Sequence, residues 1–275
     1  MMRRAAAFLL ALLVAATLPA QGGGGKGGNR PAAGAPEAPA GAPAKGGEAG
    51  KAKDTPPPPP ADPEVVKAAL KEFQATWTKA SLPQKVAAIE KLAAVGGEDV
   101  AATLAAKLTD NDPTVRGAIA QALGRLQQPK TVTPLGAALQ REIAIKEPAL
   151  PTVQALCTAL GAIGDSKAVG PLTEGVFAGN DEAENFNAIV EARLNAVGQI
   201  KDKASVDALI DLFGKVPSAG GGRSATGGRG GRSAGNARVQ RLVTNPLRKL
   251  TRQNHEDADA WRGWWKDARA KFVFP

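Results

Sequence analysis

The chain has 275 residues, a net charge of +9 and 43% hydrophobic residues. Its single Cys and single His exclude an intramolecular disulfide and a Cys/His zinc site, since zinc needs several such ligands. The charge is uneven: residues 64–216 carry −2, and residues 217–275 carry +8.

The first twenty residues, MMRRAAAFLLALLVAATLPA, hold two Arg, an unbroken apolar run from Ala5 to Ala16, and a small-residue end. The run falls short of the roughly 20 apolar residues that a membrane span needs. It reads as a signal peptide over 1–20, cut after Ala16 or Ala20, which predicts export to the periplasm or beyond with no span left afterwards. Residues 21–63 contain 11 Gly and 10 Pro, five of the Pro consecutive at 56–60. Such a stretch buries too little apolar surface to order itself and reads as a disordered linker. Its proline run acts as a stiff polyproline II spacer.

Residues 64–275 are long enough for one domain with a continuous core. Within them, NDPTVRGAIAQALGRL (111–126) has a well-marked helix start. Asp112 suits an N-cap, and Pro113 falls at the first helical position, where its missing N–H costs nothing. Asp112 and Arg116 are four apart, so they can pair on one face. Val115, Ile119, Ala122, Leu123 and Leu126 form one apolar stripe. Gly124 costs about 1 kcal/mol relative to Ala inside a helix, so it needs a reason such as a close helix crossing or a nearby helix end.

The pattern returns. Gly124, Gly161 and Gly198 are spaced by 37 residues twice over, and Leu123 maps to Leu160 and Val197, Leu126 to Ile163 and Ile200, and Ala122 to Ala159 and Ala196. Val95 and Gly96 belong to a looser earlier copy. A fixed period of 20–50 residues marks a stacked repeat architecture. The segments 98–110, 130–144, 167–179 and 204–216 supply the other helix of each pair. We name these A helices and the glycine-closing ones B helices. A single pair is too small to bury its apolar face and must stack on the next. In the third such B helix, Arg193 takes the column of Ile119 and Leu156, which predicts a frayed or open place in that unit. Cys157 falls in the column of Ala120 and Leu194 and reads as a small core residue.

Residues 218–235, SAGGGRSATGGRGGRSAG, interrupt the last pair as a disordered Gly/Arg/Ser insertion. If the following B helix is ARVQRLVTNPLRKLTR (237–252), Thr251 takes the place of Gly198 and the insertion is sixteen residues long. Pro246 is expected to kink or split that helix. Arg223, Arg229 and Arg232 in the tract, with Arg238, Arg241, Arg248, Lys249 and Arg252 on or beside the helix, are the candidates for binding an anionic partner. Near the end of the chain, Trp261, Trp264 and Trp265 share one helical face, with Phe272 and Phe274 after them, and read as an aromatic cap on the open end of the stack.

The unit KLTDNDPTVRGAIAQALGRL (107–126) resembles HEAT repeats, in which an A helix ends in Asp and the B helix opens Asp-Pro-x-Val-Arg and runs through Ala-Leu-Gly. The resemblance covers most of residues 64–253 and implies an all-α solenoid of about five helix pairs. In that family the Asp and Arg of successive units tend to form a ladder. Here the positions of Asp112 and Arg116 become Ala149 and Val153, then Phe186 and Val190, so a continuous ladder is not expected.

No motif for catalysis, a cofactor or a metal emerges. His255 has no nucleophile placed beside it, and the Gly-rich tract lacks Gly-Lys-Ser/Thr and follows no strand. The expected function is an exported, non-catalytic scaffold that binds a protein partner on its solenoid surface. The alternatives are an anionic-polymer binder working through the basic C-terminal region, and a bilin-lyase type of enzyme built on HEAT-like repeats, against which the signal sequence and the scarcity of Cys and His weigh. Limited proteolysis of the full chain is expected to nick 21–63 and 218–235 first. Early cuts within 98–200 would contradict the repeat register.

Overall fold

The computed structural model describes residues 62–178, 185–216 and 231–275. The signal peptide, nearly all of the 21–63 linker and residues 218–230 of the insertion lie outside them. Among the described residues there are eleven α-helices and no strand. They form five pairs: α1 (Pro63–Trp77) with α2 (Leu82–Val95), α3 (Glu98–Ala105) with α4 (Pro113–Leu126), α5 (Val132–Ile143) with α6 (Leu150–Ile163), α7 (Val169–Thr173) with α8 (Phe186–Val197), and α9 (Lys203–Lys215) with α10 (Gly231–Thr251). The last helix, α11 (Ala258–Ala268), stands alone. The chain is an α-solenoid with one continuous core running from Phe73 to Trp265. The first helix begins at Pro63 with Asp62 as its N-cap, so order starts just inside the expected linker boundary.

The glycine spacing has its physical cause at the contact between successive B helices. A Cβ on Gly124 would lie 3.0 Å from Ala159 Cα, and one on Gly161 would lie 3.1 Å from Ala196 Cα. A Cβ on Gly198 would lie 2.6 Å from Pro246 Cβ and 3.1 Å from its Cα. The B helices therefore cross almost backbone to backbone, and only hydrogen fits at the crossing point. The close crossing, not a helix end, explains Gly124.

The same contact corrects the register of the last unit. Pro246 plays the part of Ala159 and Ala196, so the last B helix is offset by 50 residues and the insertion is thirteen residues long, not sixteen. Arg248, not Thr251, stands in the glycine column. Val243, Leu247 and Leu250, all buried, then continue the columns of Ile119, Leu123 and Leu126. The helix runs from Gly231 through Pro246 to Thr251 without a break, so the proline does not split it and the tract expected to be disordered to 235 is helical from 231.

The start of α4 follows the sequence in one respect and departs from it in another. Asp112 caps it, accepting the Thr114 amide at 2.7 Å. Its carboxylate does not pair with Arg116. Instead, Arg116 reaches into the next unit, where Nη2 and Nε donate to Glu142 Oε2 at 2.6 and 2.9 Å, and Nη1 donates to the carbonyls of Asp110 and Asn111. Glu142 is 3% exposed, and this pairing is what makes its burial tolerable. One unit earlier Lys85 pairs with Asp110 at 2.7 Å. Burial raises the Asp110 carboxyl, but the hydrogen bonds from Lys85 and the Asp112 amide outweigh it and hold the group below its ordinary value. The ladder therefore has two rungs. Each joins a B-helix cation to an acid near the end of the next A helix, and Asp112 is in neither.

The place that Arg193 takes in its column is closed, not open. Arg193 is 2% exposed, and its guanidinium donates to the carbonyls of Leu172 at 3.0 Å, Pro171 at 3.3 Å, and Glu174. Two of those carbonyls would otherwise accept the amides of a following helical turn. Accordingly α7 ends at Thr173, Glu174 leaves it at ψ 120°, and the helix expected over 167–179 is only five residues long. Cys157 is a buried core residue, as its column implied, and burial pushes its thiol up to about 12 against the opposing charge of nearby Arg193.

The aromatic end is a cap. Trp261 and Trp265 are buried and Trp264 is half-buried. Trp264 meets Trp261 and Phe272 edge to face at 5.8 and 5.9 Å, and His255 packs on Trp261 at 4.7 Å. The cap is fastened to α9 through Asp207, which accepts Trp265 Nε1–H at 2.6 Å and Arg269 Nη2–H at 2.8 Å. The Arg269 bond comes first in holding the Asp207 carboxyl below its usual range.

Two predictions follow from these contacts. Gly198→Ala is expected to lower the melting temperature because its Cβ collides with Pro246. The same change at the exposed Gly263, where nothing lies within 4 Å, is expected to be neutral or stabilising by up to about 1 kcal/mol from helix propensity. A denaturant titration of both variants checks the opposite signs. Arg116→Met alone is expected to cost about 3–5 kcal/mol by leaving the Glu142 carboxylate buried and unpaired. Adding Glu142→Leu is expected to recover most of that loss, as read in a double-mutant cycle.

Candidate interaction surface

Stacking buries one stripe of each B helix and leaves another facing outward, and the 37-residue register aligns the outward residues in columns. One column holds Gln121, Thr158, Asn195 and Asn245, all exposed. A second holds Gln154, Glu191 and Arg241, and a third Arg125, Ala162, Gln199 and Lys249, again all exposed. From α4 to α8 the face is mostly amide, hydroxyl and methyl. These side chains offer hydrogen-bond donors and acceptors with little charge. Reading the polar positions in the same register as the apolar ones would have found these columns in the sequence.

Charge on this face changes along the stack. In the first units several exposed cations have acidic partners: Lys91 with Glu72 at 2.6 Å inside the first pair and, across units, Arg125 with Glu90 at 2.6 Å and Lys130 with Glu98, while Lys67, Lys71 and Lys79 make no ion pair among the described residues. Arg238, Arg241, Arg248 and Lys249 on α10, and Arg252 just after it, are all exposed, and none makes an ion pair among the described residues. Asn245, Arg248, Lys249, Arg252, Gln253 and Asn254 line a shallow polar hollow at the end of α10. The structure thus gathers Arg238, Arg241, Arg248 and Lys249 on one helix, with Arg252 directly after its end. Arg232 lies in the first turn of that helix, and Arg223 and Arg229 lie outside the described residues.

The other residues singled out by the sequence serve the fold. Asp112 and Arg116 hold a cap and an inter-unit pair, Gly124, Gly161 and Gly198 the helix crossings, and Trp261, Trp264 and Trp265 the end of the core. Among the described residues no cluster of three or more His, Cys, Asp or Glu is placed to hold a metal ion. No described helix is long and apolar enough to cross a membrane.

Residues 74–146 match the family described as HEAT repeats. No curated protein matches the chain. The matched segment runs from within α1 to the turn after α5, and the same A–B pairing continues with the same crossing contacts to α10. The described residues form an α-solenoid whose segment 74–146 is shown to be HEAT repeats.

Proposed function

We propose that this protein is an exported, non-catalytic scaffold that binds a protein partner on the outward face of its B helices. HEAT repeats commonly mediate protein–protein contact, and that coarse role fits the fold. The observation that carries the reading is the set of in-register columns on α4, α6 and α8: Gln121, Thr158 and Asn195, with Gln154 and Gln199 beside them. Amide and hydroxyl groups recurring once per unit suit a surface whose hydrogen bonds are completed by another polypeptide. The N-terminal apolar run supports export.

The test is site-specific photo-cross-linking in the native cell. A photoreactive residue at Thr158 or Asn195 is expected to give a discrete higher-mass adduct. The same residue at Ala137, exposed on A helix α5, is expected to give none. Equal adducts from both faces, or adducts only from Ala137, would overturn the assignment of the binding face. N-terminal sequencing of the secreted or periplasmic protein is expected to begin at residue 17 or 21.

A further inference from the structure

Arg248 occupies the column of Gly124, Gly161 and Gly198. In the three preceding units that position is covered by the next B helix, and only glycine fits. Among the described residues the element after α10 is not another B helix but α11, which packs on α9 through Asp207. The column thus changes from the residue that admits a helix to one that excludes it. Repeat proteins need a polar outer face on the terminal unit, and Arg248 meets that need.

Solubility alone does not account for the rest of the helix. Solvated surfaces ordinarily intersperse both signs of charge, whereas the outward stripe of α10, continued by Arg252 just past its end, has Arg238, Arg241, Arg248, Lys249 and Arg252 with no acid on it. Favourable interaction with the carbonyl end of the helix explains the three cations of its last turns. It does not explain Arg238 and Arg241, which stand several turns earlier. From Arg238 to Arg252 the stripe is about 21 Å long at the helical rise of 1.5 Å per residue. Four of its five cations are Arg, whose planar fork matches a carboxylate.

We propose that this stripe is the docking strip for an acidic polypeptide segment of the partner. About six extended residues cover 21 Å, so a short run of Asp and Glu suffices to meet all five cations. Three observations favour a polypeptide over a polymeric anion. The stripe is short, and the equivalent exposed positions on and just after α8 are acidic at Glu191 and neutral at Asn195 and Gln199, so the basic surface does not continue as a track. Amides at Asn245, Gln253 and Asn254 stand among the cations, where they can bond a peptide backbone. The aromatic rings nearest in sequence belong to the cap: Trp261 and Trp265 are buried, and Trp264, half-buried, is packed edge to face against Trp261 and Phe272, so they offer no free platform for bases. The inference rests on the reading of the solenoid as a protein-binding scaffold and names the chemistry of its partner.

The experiment measures binding of the full chain to fluorescent poly-L-glutamate, with a DNA duplex and heparin at matched charge concentration, at about 50 and 200 mM salt. Polyglutamate binding is expected at the lower salt and is expected to weaken at least tenfold in the Arg241→Glu, Arg248→Glu, Lys249→Glu triple variant. All three side chains are exposed, so the variant is expected to keep its melting temperature. Arg141→Glu on α5, also exposed, is expected to leave binding unchanged. Absence of polyglutamate binding, equal loss in the Arg141 variant, or a preference for DNA or heparin would overturn the proposal. Either of the first two outcomes, with cross-links from Thr158 intact, removes the acidic partner and leaves the scaffold reading standing. Loss of the Thr158 cross-links with polyglutamate binding intact does the reverse.

Discussion

The close approach of successive B helices is the constraint on which the rest of the stack depends. A side chain as small as a methyl group does not fit between Gly124 and Ala159 or between Gly198 and Pro246 without displacement. This distance sets how far apart neighbouring units stand, and with it which side chains reach across. Arg116 can span from α4 to Glu142 at the end of α5 because the units are that close, and Thr152 can donate from α6 to the Pro113 carbonyl at 2.8 Å. The apolar columns follow from the same geometry. With the backbone fixed at the crossing, Ile119, Leu123 and Leu126 and their counterparts in the later units are carried toward the core, all of them buried except Ile163, which is half-buried.

The repeat was legible because its strictest requirement falls on the most recognisable residue. Glycine at a fixed interval survives in a sequence whose other positions tolerate any aliphatic side chain. The register failed at the one unit where the requirement lapsed. Among the described residues no B helix follows α10, so Arg248 replaced glycine and left Thr251 as the nearest small-looking candidate. The length of α7 was not legible either, because its end is decided by a side chain twenty residues later in the sequence. Arg193 looked like a flaw in an apolar column, and only the fold shows that it is buried against carbonyls. The partner of Arg116 was hidden for the same reason: Glu142 is 26 residues away, while Asp112 is an adjacent and plausible substitute.

The candidate surface was half legible. The cations of α10 are visible as a charge imbalance, but their isolation depends on where the acids went. In the early units Glu72, Glu90 and Glu98 each meet a cation from a neighbouring helix, and Asp207 is engaged by the cap. Exposed pairs of this kind contribute little to stability. Their effect on the surface is larger: they offset part of the positive charge in the first units, whereas α10 carries cations alone. The amide columns escaped notice because polar residues on helices ordinarily carry no pattern, and theirs appears only once the crossing glycines have fixed the register.

The junction between α7 and α8 has a bearing on how the molecule comes apart. A five-residue helix is far below the length that persists by itself in water. A solenoid is close to a one-dimensional chain of units, and its shortest helix is where such a chain would be expected to open first. Yet the last carbonyls of α7 are held by a guanidinium rooted in the middle of α8, beside the core around Cys157. Opening α7 strands that charge in an apolar interior, so the two helices can be lost only together, along with the packing of α6 against α8. The stretch with the least intrinsic helicity is thereby tied into the cooperative middle of the stack, and fraying is displaced outward to the ends.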